Sequence, residues 1–280
     1  MTRRSLTALL VAASATLALA ACASGAPADG EAGGSGGDYI ADGKLTIGTG
    51  EPAYFPWVID DAPESGEGFE AAVAYAVAEQ LGFEADDVVW VRSTFEQAIA
   101  PGPKDFDFNL QQFSITEERA ENVDFSSPYY ETTQVVITTE SSPAASASSI
   151  ADLQGLLIGA QTGTTSFDAV EQVIDPTAGS QVFNTNDDAK LALQNGTVDA
   201  IVVDLPTAFY LTGVELEGGK IVGQLPATAG DGDAFGLVLA KGSPLTADVT
   251  AAVDALRDAG TLDELAAEWL GGAGGAPVLE

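Results

Sequence analysis

Along residues 39–280 the chain alternates short apolar, β-branched runs with stretches whose apolar positions recur at helical spacing. Lys44–Thr49 predicts a strand, and Phe69–Leu81 a helix with Ala, Val and Tyr on one stripe, stopped by Gly82. Val88–Val91 predicts a second strand, and Thr94 caps a short helix that Pro101 ends. Phe106–Leu110 reads as a strand, and Thr116 caps a helix opening with Glu117-Glu118-Arg119. After strand Gln134–Thr139 comes a Ser/Ala/Pro linker, Ser141–Ser149.

A second series begins at Leu156–Ala160. It has helices near Ser166–Ile174, Asp187–Gln194 and Pro206–Thr212, and strands near Gln181–Phe183 and Ala200–Val203. Strand Phe235–Ala240 follows, then helices Leu245–Ala259 and Leu262–Leu270 divided at Gly260. Two βα series imply two α/β lobes.

The first 38 residues break this pattern. Arg3 and Arg4 precede an apolar run, Leu6–Ala20, of 15 residues. A membrane-spanning helix needs about 20, so the run predicts an export signal. It ends in Leu19-Ala20-Ala21-Cys22, similar to a bacterial lipoprotein box, which makes Cys22 a lipidation candidate. An ordinary signal peptide with an incidental Cys is the alternative, and Thr2-Arg3-Arg4-Ser5-Leu6 also resembles a twin-arginine signal. Ala23–Asp38 is Gly, Ala, Ser, Pro and acid, the composition of a flexible tether. The expected organisation is a leader over 1–21, a tether over 22–38, one lobe from 39–137 and 236–280, and the other from 138–235.

Composition narrows the chemistry. With 42 Asp+Glu against 10 Lys+Arg the net charge is −32, which excludes a general nucleic-acid binder. The chain has no His and one Cys, which removes His-based catalysis, His-dependent triads, intrachain disulfides and most zinc or copper sites. No metal or other cofactor is expected. The acidity reads as a solubility device, and an acyl chain rather than charge would hold such a body at an anionic bilayer.

Four features carry candidate chemistry. Arg119 stands in the first turn of a helix after Ser114-Ile115-Thr116, where the macrodipole disfavours a purely structural cation. It could receive a carboxylate, or pair on the surface with Glu117, Glu118 or Glu121. Gly163-Thr164-Thr165-Ser166 could hold an anionic group or cap the following helix. Asp204 closes a strand at the end that faces the crevice of open α/β sheets, where it could meet an ammonium or cap the next helix. Glu51, Tyr54, Phe55 and Trp57 crowd the loop after the first strand, and Phe69 opens the next helix, as pocket walls or as core. Gln111 and Gln112 add polar groups at the same crevice. Together these describe a receptor for a zwitterion.

The chain resembles the bacterial extracellular solute-binding proteins of family 3, the amino-acid receptors of ABC importers, from about Leu45 to Trp269. The resemblance rests on Gly68-Phe69-Glu70, Ser114-Ile115-Thr116-Glu117-Glu118-Arg119, Asp124-Phe125-Ser126-Ser127-Pro128-Tyr129-Tyr130, Gly163-Thr164-Thr165, Asn195–Ala200 with Asp204, and Asp258–Leu262 with Trp269. It implies a type II periplasmic-binding-protein fold, two lobes hinged by two crossing segments near 134–140 and 232–240. It also implies that Arg119, Ser114 and the Thr165 loop hold an α-carboxylate, that Asp204 holds the α-ammonium, and that Tyr54 lies against the side chain. Glu51 stands where the family often has Asp. Ala72 replaces the family's usual second acid in that helix, and Gln111 and Gln112 replace small residues. The segment Ala100–Asp105 also departs from the family pattern.

The implied protein is a lipid-anchored extracytoplasmic monomer that delivers an amino acid, of polar side chain, to a permease with its cytoplasmic ATPase. It is not an enzyme. A dehydratase-like exported enzyme on the same scaffold is the rival, and Glu51 is its one candidate acid. A ligand-sensing ectodomain is a third reading.

Overall fold

The computed structural model describes residues 38–226, 233–271 and 276–280. The leader, Cys22 and the tether up to residue 37 lie outside them.

The first sheet contains β1 (Leu45–Gly50), β2 (Val88–Ser93), β3 (Phe108–Asn109), β4 (Val123–Thr132) and β10 (Asp233–Ala240), in the order β2-β1-β3-β10-β4. The second contains β5 (Gln134–Thr139), β6 (Ile158–Gln161), β7 (Ser180–Phe183), β8 (Ala200–Asp204) and β9 (Gly219–Gln224), in the order β7-β6-β8-β5-β9. β1, β2 and β3 run parallel, as do β6, β7 and β8, while β10 and β5 enter antiparallel. Both sheets are flanked by helices, so their central strands are apolar on both faces: Leu45 and Ile47 in one, Val135–Ile137 and Ile201–Val203 in the other, all within 1% of full burial. This is the two-lobed type II architecture that the sequence leads one to expect.

The helices follow from local signals. α1 (Phe69–Gln80) buries Phe69, Val73, Ala74 and Val77 against the first sheet. Gly68 begins it at φ 103°, and a Cβ there would lie 2.6 Å from the Trp57 carbonyl oxygen. α2 (Phe95–Ile99) starts on a Thr94–Gln97 capping box, and Thr116 caps α3 (Glu117–Asn122) by accepting from the Arg119 N–H. In the second lobe Thr185 caps α6 (Asn186–Gln194) in the same way. α8 (Thr246–Asp258) and α9 (Thr261–Trp269) pack on α1, with Leu245, Val249, Val253 and Leu262 in the first lobe's core.

Three expectations change. Gln134–Ile137, expected in the first lobe, pair on both sides inside the second sheet. Asp233–Phe235, expected in the second, pair with Tyr130–Thr132 of the first. Strand pairing therefore puts the chain in the second sheet from Gln134 and back in the first from Asp233. The third change is the tail. It leaves α9 on the first lobe, yet Val278 bridges Gln224 and Leu279 is buried in the second lobe's core. The Ile150 N–H also donates to the Glu280 carbonyl at 3.1 Å. The reason is a slot over Gly223, where a Cβ would come within 2.7 Å of Leu279.

Leu279 is 3% exposed, so Leu279→Ala should destabilise the protein by about 2–3 kcal/mol, at the lower end for a buried leucine because a terminal segment can relax. Urea denaturation measures it; a loss below about 0.5 kcal/mol would mean that the tail is not packed in solution.

Candidate functional site

The C-terminal ends of the parallel strands of both sheets face one cleft. The loops beyond β1, β2 and β3 and those beyond β6, β7 and β8 line a cavity of about 270 Å³. Its walls include Glu51, Tyr54, Trp57, Gln111, Gln112, Ser114 and Arg119 from the first lobe and Thr164, Thr165 and Asp204 from the second. The structure thus brings together ten of the eleven expected residues. Phe69 is the exception. It is fully buried between Trp57, Tyr129 and Tyr130, so the core reading holds for it, and it supports Trp57 from behind.

Arg119 is 8% exposed and makes no ion pair among the described residues, so the surface pairing with Glu117, Glu118 or Glu121 does not form. Its Nη1 donates to the Ser114 carbonyl at 2.7 Å and its Nη2 to the Gly163 carbonyl at 2.9 Å. The second bond crosses between the lobes. Phe95 lies under the guanidinium, 5.3 Å from ring centroid to Cζ. Burial lowers the Arg119 pKa, against the pull of Asp168, Asp233 and Asp204. A cation desolvated among carbonyls keeps part of its positive field uncompensated, which suits it to an incoming anion.

Thr164 is the N-cap of α5 (Thr165–Ala169), accepting from the Phe167 N–H at 3.2 Å, so the capping alternative holds for its hydroxyl. Thr165 is different. Its hydroxyl lies 3.1 Å from that of Ser114 across the cleft and donates to Asp233 at 2.9 Å.

Asp204 occupies the N-cap position of α7 (Leu205–Tyr210), but its side chain caps nothing. It accepts instead from Gln134 Nε2 at 2.8 Å, and the same amide nitrogen bonds Asp233. Ser166 holds the amide's other end, donating to Gln134 Oε1 at 2.6 Å. Gln134 and Asp233 begin β5 and β10, so the carboxylates sit where the chain crosses between lobes. Burial and Asp233 together push the Asp204 pKa up to about 8. A carboxyl so placed is ready to ionise beside a cation.

Sequence reasoning missed this partner set. Gln134 reads as the first residue of a strand and Asp233 as loop, and only the meeting of β5 with β10 joins them. It also missed Glu70, which accepts from the Gln112 N–H at 2.7 Å, from Gln112 Nε2 and from the Tyr129 hydroxyl. Its burial on the apolar side of α1 drives its pKa to about 7 despite those donors.

The lobes meet at further points. Trp57 Nε1 donates to Thr207 at 3.2 Å, and Phe55 packs on Tyr210 with ring centroids 4.3 Å apart. Tyr54 is pushed to higher pKa by burial and by Asp187 of the other lobe. Among the described residues no cluster of three or more His, Cys, Asp or Glu has the geometry to hold a metal ion.

A cleft between two α/β lobes, with a buried cation on one wall and a desolvated carboxyl on the other, has the chemistry to receive a small zwitterion. The chain belongs to the bacterial extracellular solute-binding proteins, family 3, whose model matches residues 45–272. The L-arginine-binding protein of Pseudomonas aeruginosa is 30% identical over 235 residues, covering 81% of this chain and 88% of that protein. An ancestral arginine-binding protein bound to arginine superposes with a TM-score of 0.68 at 31% identity, over 81% of this chain and 98% of that one. An ancestral arginine-binding protein bound to glutamine matches equally, at a TM-score of 0.68 and 31% identity, over 82% of this chain and 98% of that one.

The raised pKa of Asp204 carries a signed consequence. The folded protein keeps this proton up to about pH 8, whereas the unfolded chain releases it near 3.8, the ordinary aspartate value, so stability drains away as pH rises across that window. Asp204→Asn should flatten the fall in thermal midpoint between pH 4 and pH 8. Superimposable wild-type and variant profiles in scanning calorimetry would place Asp204 in a solvated setting.

Proposed function

We propose that this protein captures a free amino acid between its lobes and presents it to an ABC permease. The observation that carries this reading is that Arg119 and Asp204 stand in one cavity but on different lobes. An α-carboxylate held by Arg119, Ser114 and Thr165 and an α-ammonium held by Asp204 engage both lobes at once. Neither lobe has the whole receptor, so the ligand binds the closed arrangement better and shifts the protein toward it. Asp204 would give up its proton as the ammonium arrives. The permease would then recognise the closed form. Family membership supports the amino-acid class, and the relatives' names bring arginine and glutamine into consideration.

The reading extends to location. The export signal and the Leu19–Cys22 box support a mature protein carried outside the cytoplasmic membrane on a lipidated Cys22, with the following Gly- and Ala-rich stretch as spacer. Cys22→Ser should move the protein from the detergent phase to the aqueous phase of a phase-separation extract, or leave it unprocessed. Equal partitioning of wild type and variant argues for an ordinary secreted protein.

Loss of one partner of a buried, charge-assisted contact costs about 2–5 kcal/mol, and each 1.4 kcal/mol is about tenfold in Kd. Arg119→Ala and Asp204→Ala should each weaken amino-acid binding by roughly 30-fold to over 1,000-fold in isothermal calorimetry. Arg257→Ala, whose guanidinium is exposed beside Asp254 on α8, should leave it near wild type. Near-wild-type affinity in either cleft variant would put the receptor elsewhere.

A further inference from the structure

The hydroxyls of Ser114 and Thr165 belong to a longer chain of hydrogen bonds that leaves the cavity, and Asp233 is its far end. Asp233 starts β10, is half-buried, and is not part of the cavity's described lining. Its Oδ2 accepts from the Thr165 hydroxyl at 2.9 Å and from Gln134 Nε2. Ser166 donates to Gln134 Oε1, which fixes the sense of that amide. Its NH2 group faces both carboxylates, with one hydrogen toward Asp233 and the other toward Asp204. The same nitrogen lies 3.3 Å from Thr165 Oγ1.

The direction of the hydroxyl protons follows from Asp233. An ionised carboxylate has no proton to give, and two oxygens at hydrogen-bond distance need one between them. The Thr165 O–H therefore points at Asp233. Ser114 Oγ lies 3.1 Å from Thr165 Oγ1, and with the Thr165 proton committed, the proton between those two comes from Ser114. Both hydroxyl protons run away from the cavity toward Asp233. An α-carboxylate beside Arg119 needs the opposite sense, because it only accepts and gains from a hydroxyl only when that hydroxyl donates. The chain also joins the lobes. Thr165 belongs to the second, whereas Ser114 bridges Phe235 and Asp233 pairs with Thr132 in the first.

Resting on the amino-acid reading above, we propose that Asp233 is a positioning residue that competes with the ligand's α-carboxylate for the Thr165 proton and, through Thr165, for the Ser114 proton. To receive either, the carboxylate has to turn the chain round. Asp233 thereby caps the affinity of the site without touching the ligand. Its charge also acts at a distance, on Arg119, Asp168 and Asp204. Proton direction and charge are separated by removing the hydroxyl that carries the first.

Calorimetry at pH 8 with each of the twenty standard L-amino acids identifies the tightest binder. That amino acid is then titrated into wild type, Asp233→Ala, Thr165→Val and the double variant. Asp233→Ala should tighten binding about tenfold more with the Thr165 hydroxyl present than in the Thr165→Val background, the low end for one hydrogen bond to a charged group. Whatever Asp233 does by charge alone survives the loss of the hydroxyl and cancels from this comparison. A merely structural Asp233 would weaken binding when removed. Asp233→Asn keeps an oxygen acceptor in place but loses the charge, so its affinity should fall between wild type and Asp233→Ala. If Asp233→Ala does not fold, Asp233→Asn carries the same comparison with a difference of about threefold. Equal effects in the two backgrounds, or weaker binding on removal of Asp233 with the hydroxyl present, would overturn the competition while leaving the amino-acid receptor standing. No binding of any of the twenty would overturn both.

Discussion

Among the described residues no carboxylate contacts the buried cation of Arg119, and the site depends on that imbalance. A guanidinium removed from water is costly unless its donors are engaged. Here two backbone carbonyls, one from each lobe, meet part of that need, and the Phe95 ring covers a face. Carbonyls satisfy donors without cancelling charge. Had Asp168 or Asp204 closed onto the guanidinium, the positive field would be spent internally and the cleft would have no pull on an anion.

The opposite wall follows the same logic with the sign reversed. Asp204 and Asp233 crowd one amide, Gln134, and burial leaves the pair short of positive charge. On the proposed function a zwitterion would relieve both ends at once, and that shared relief would favour closure more than either contact alone. The residues involved sit at the ends of β5, β8 and β10, beside the crossings, where a small change in inter-lobe angle displaces them least.

How much was legible beforehand divides along physical lines. Strands with unbroken apolar runs, such as Gln134–Thr139 and Ala200–Val203, and helices with clean caps, such as the one after Thr116, announced themselves through local chemistry. β4 did not. Val123–Thr132 carries Pro128 and polar residues at half-buried positions, and it tolerates them because the pairing with β10 slips at Gly236. β9, Gly219–Gln224, has two glycines and a lysine and is a strand because it lies along β5 and receives Val278. The cleft was legible where a residue acts alone at a strand end or helix start, as with Arg119, Asp204 and Thr165. Glu70 and Gln134 were hidden because their meaning comes from partners 42 and 99 residues away. Phe69 misled because an aromatic beside a pocket and one beneath it have the same sequence signature.

The tail's destination makes the two ends of the folded body a measuring device. Tyr39 packs on Phe83 and the Ile40 N–H donates to Asp107, which fixes the entering chain to the first lobe, while Leu279 fixes the leaving chain to the second. The separation between those ends is therefore a coordinate of the hinge itself. Dyes placed near residues 42 and 280 would report lobe rotation through their energy transfer, with no probe inside the cleft to disturb what it reads.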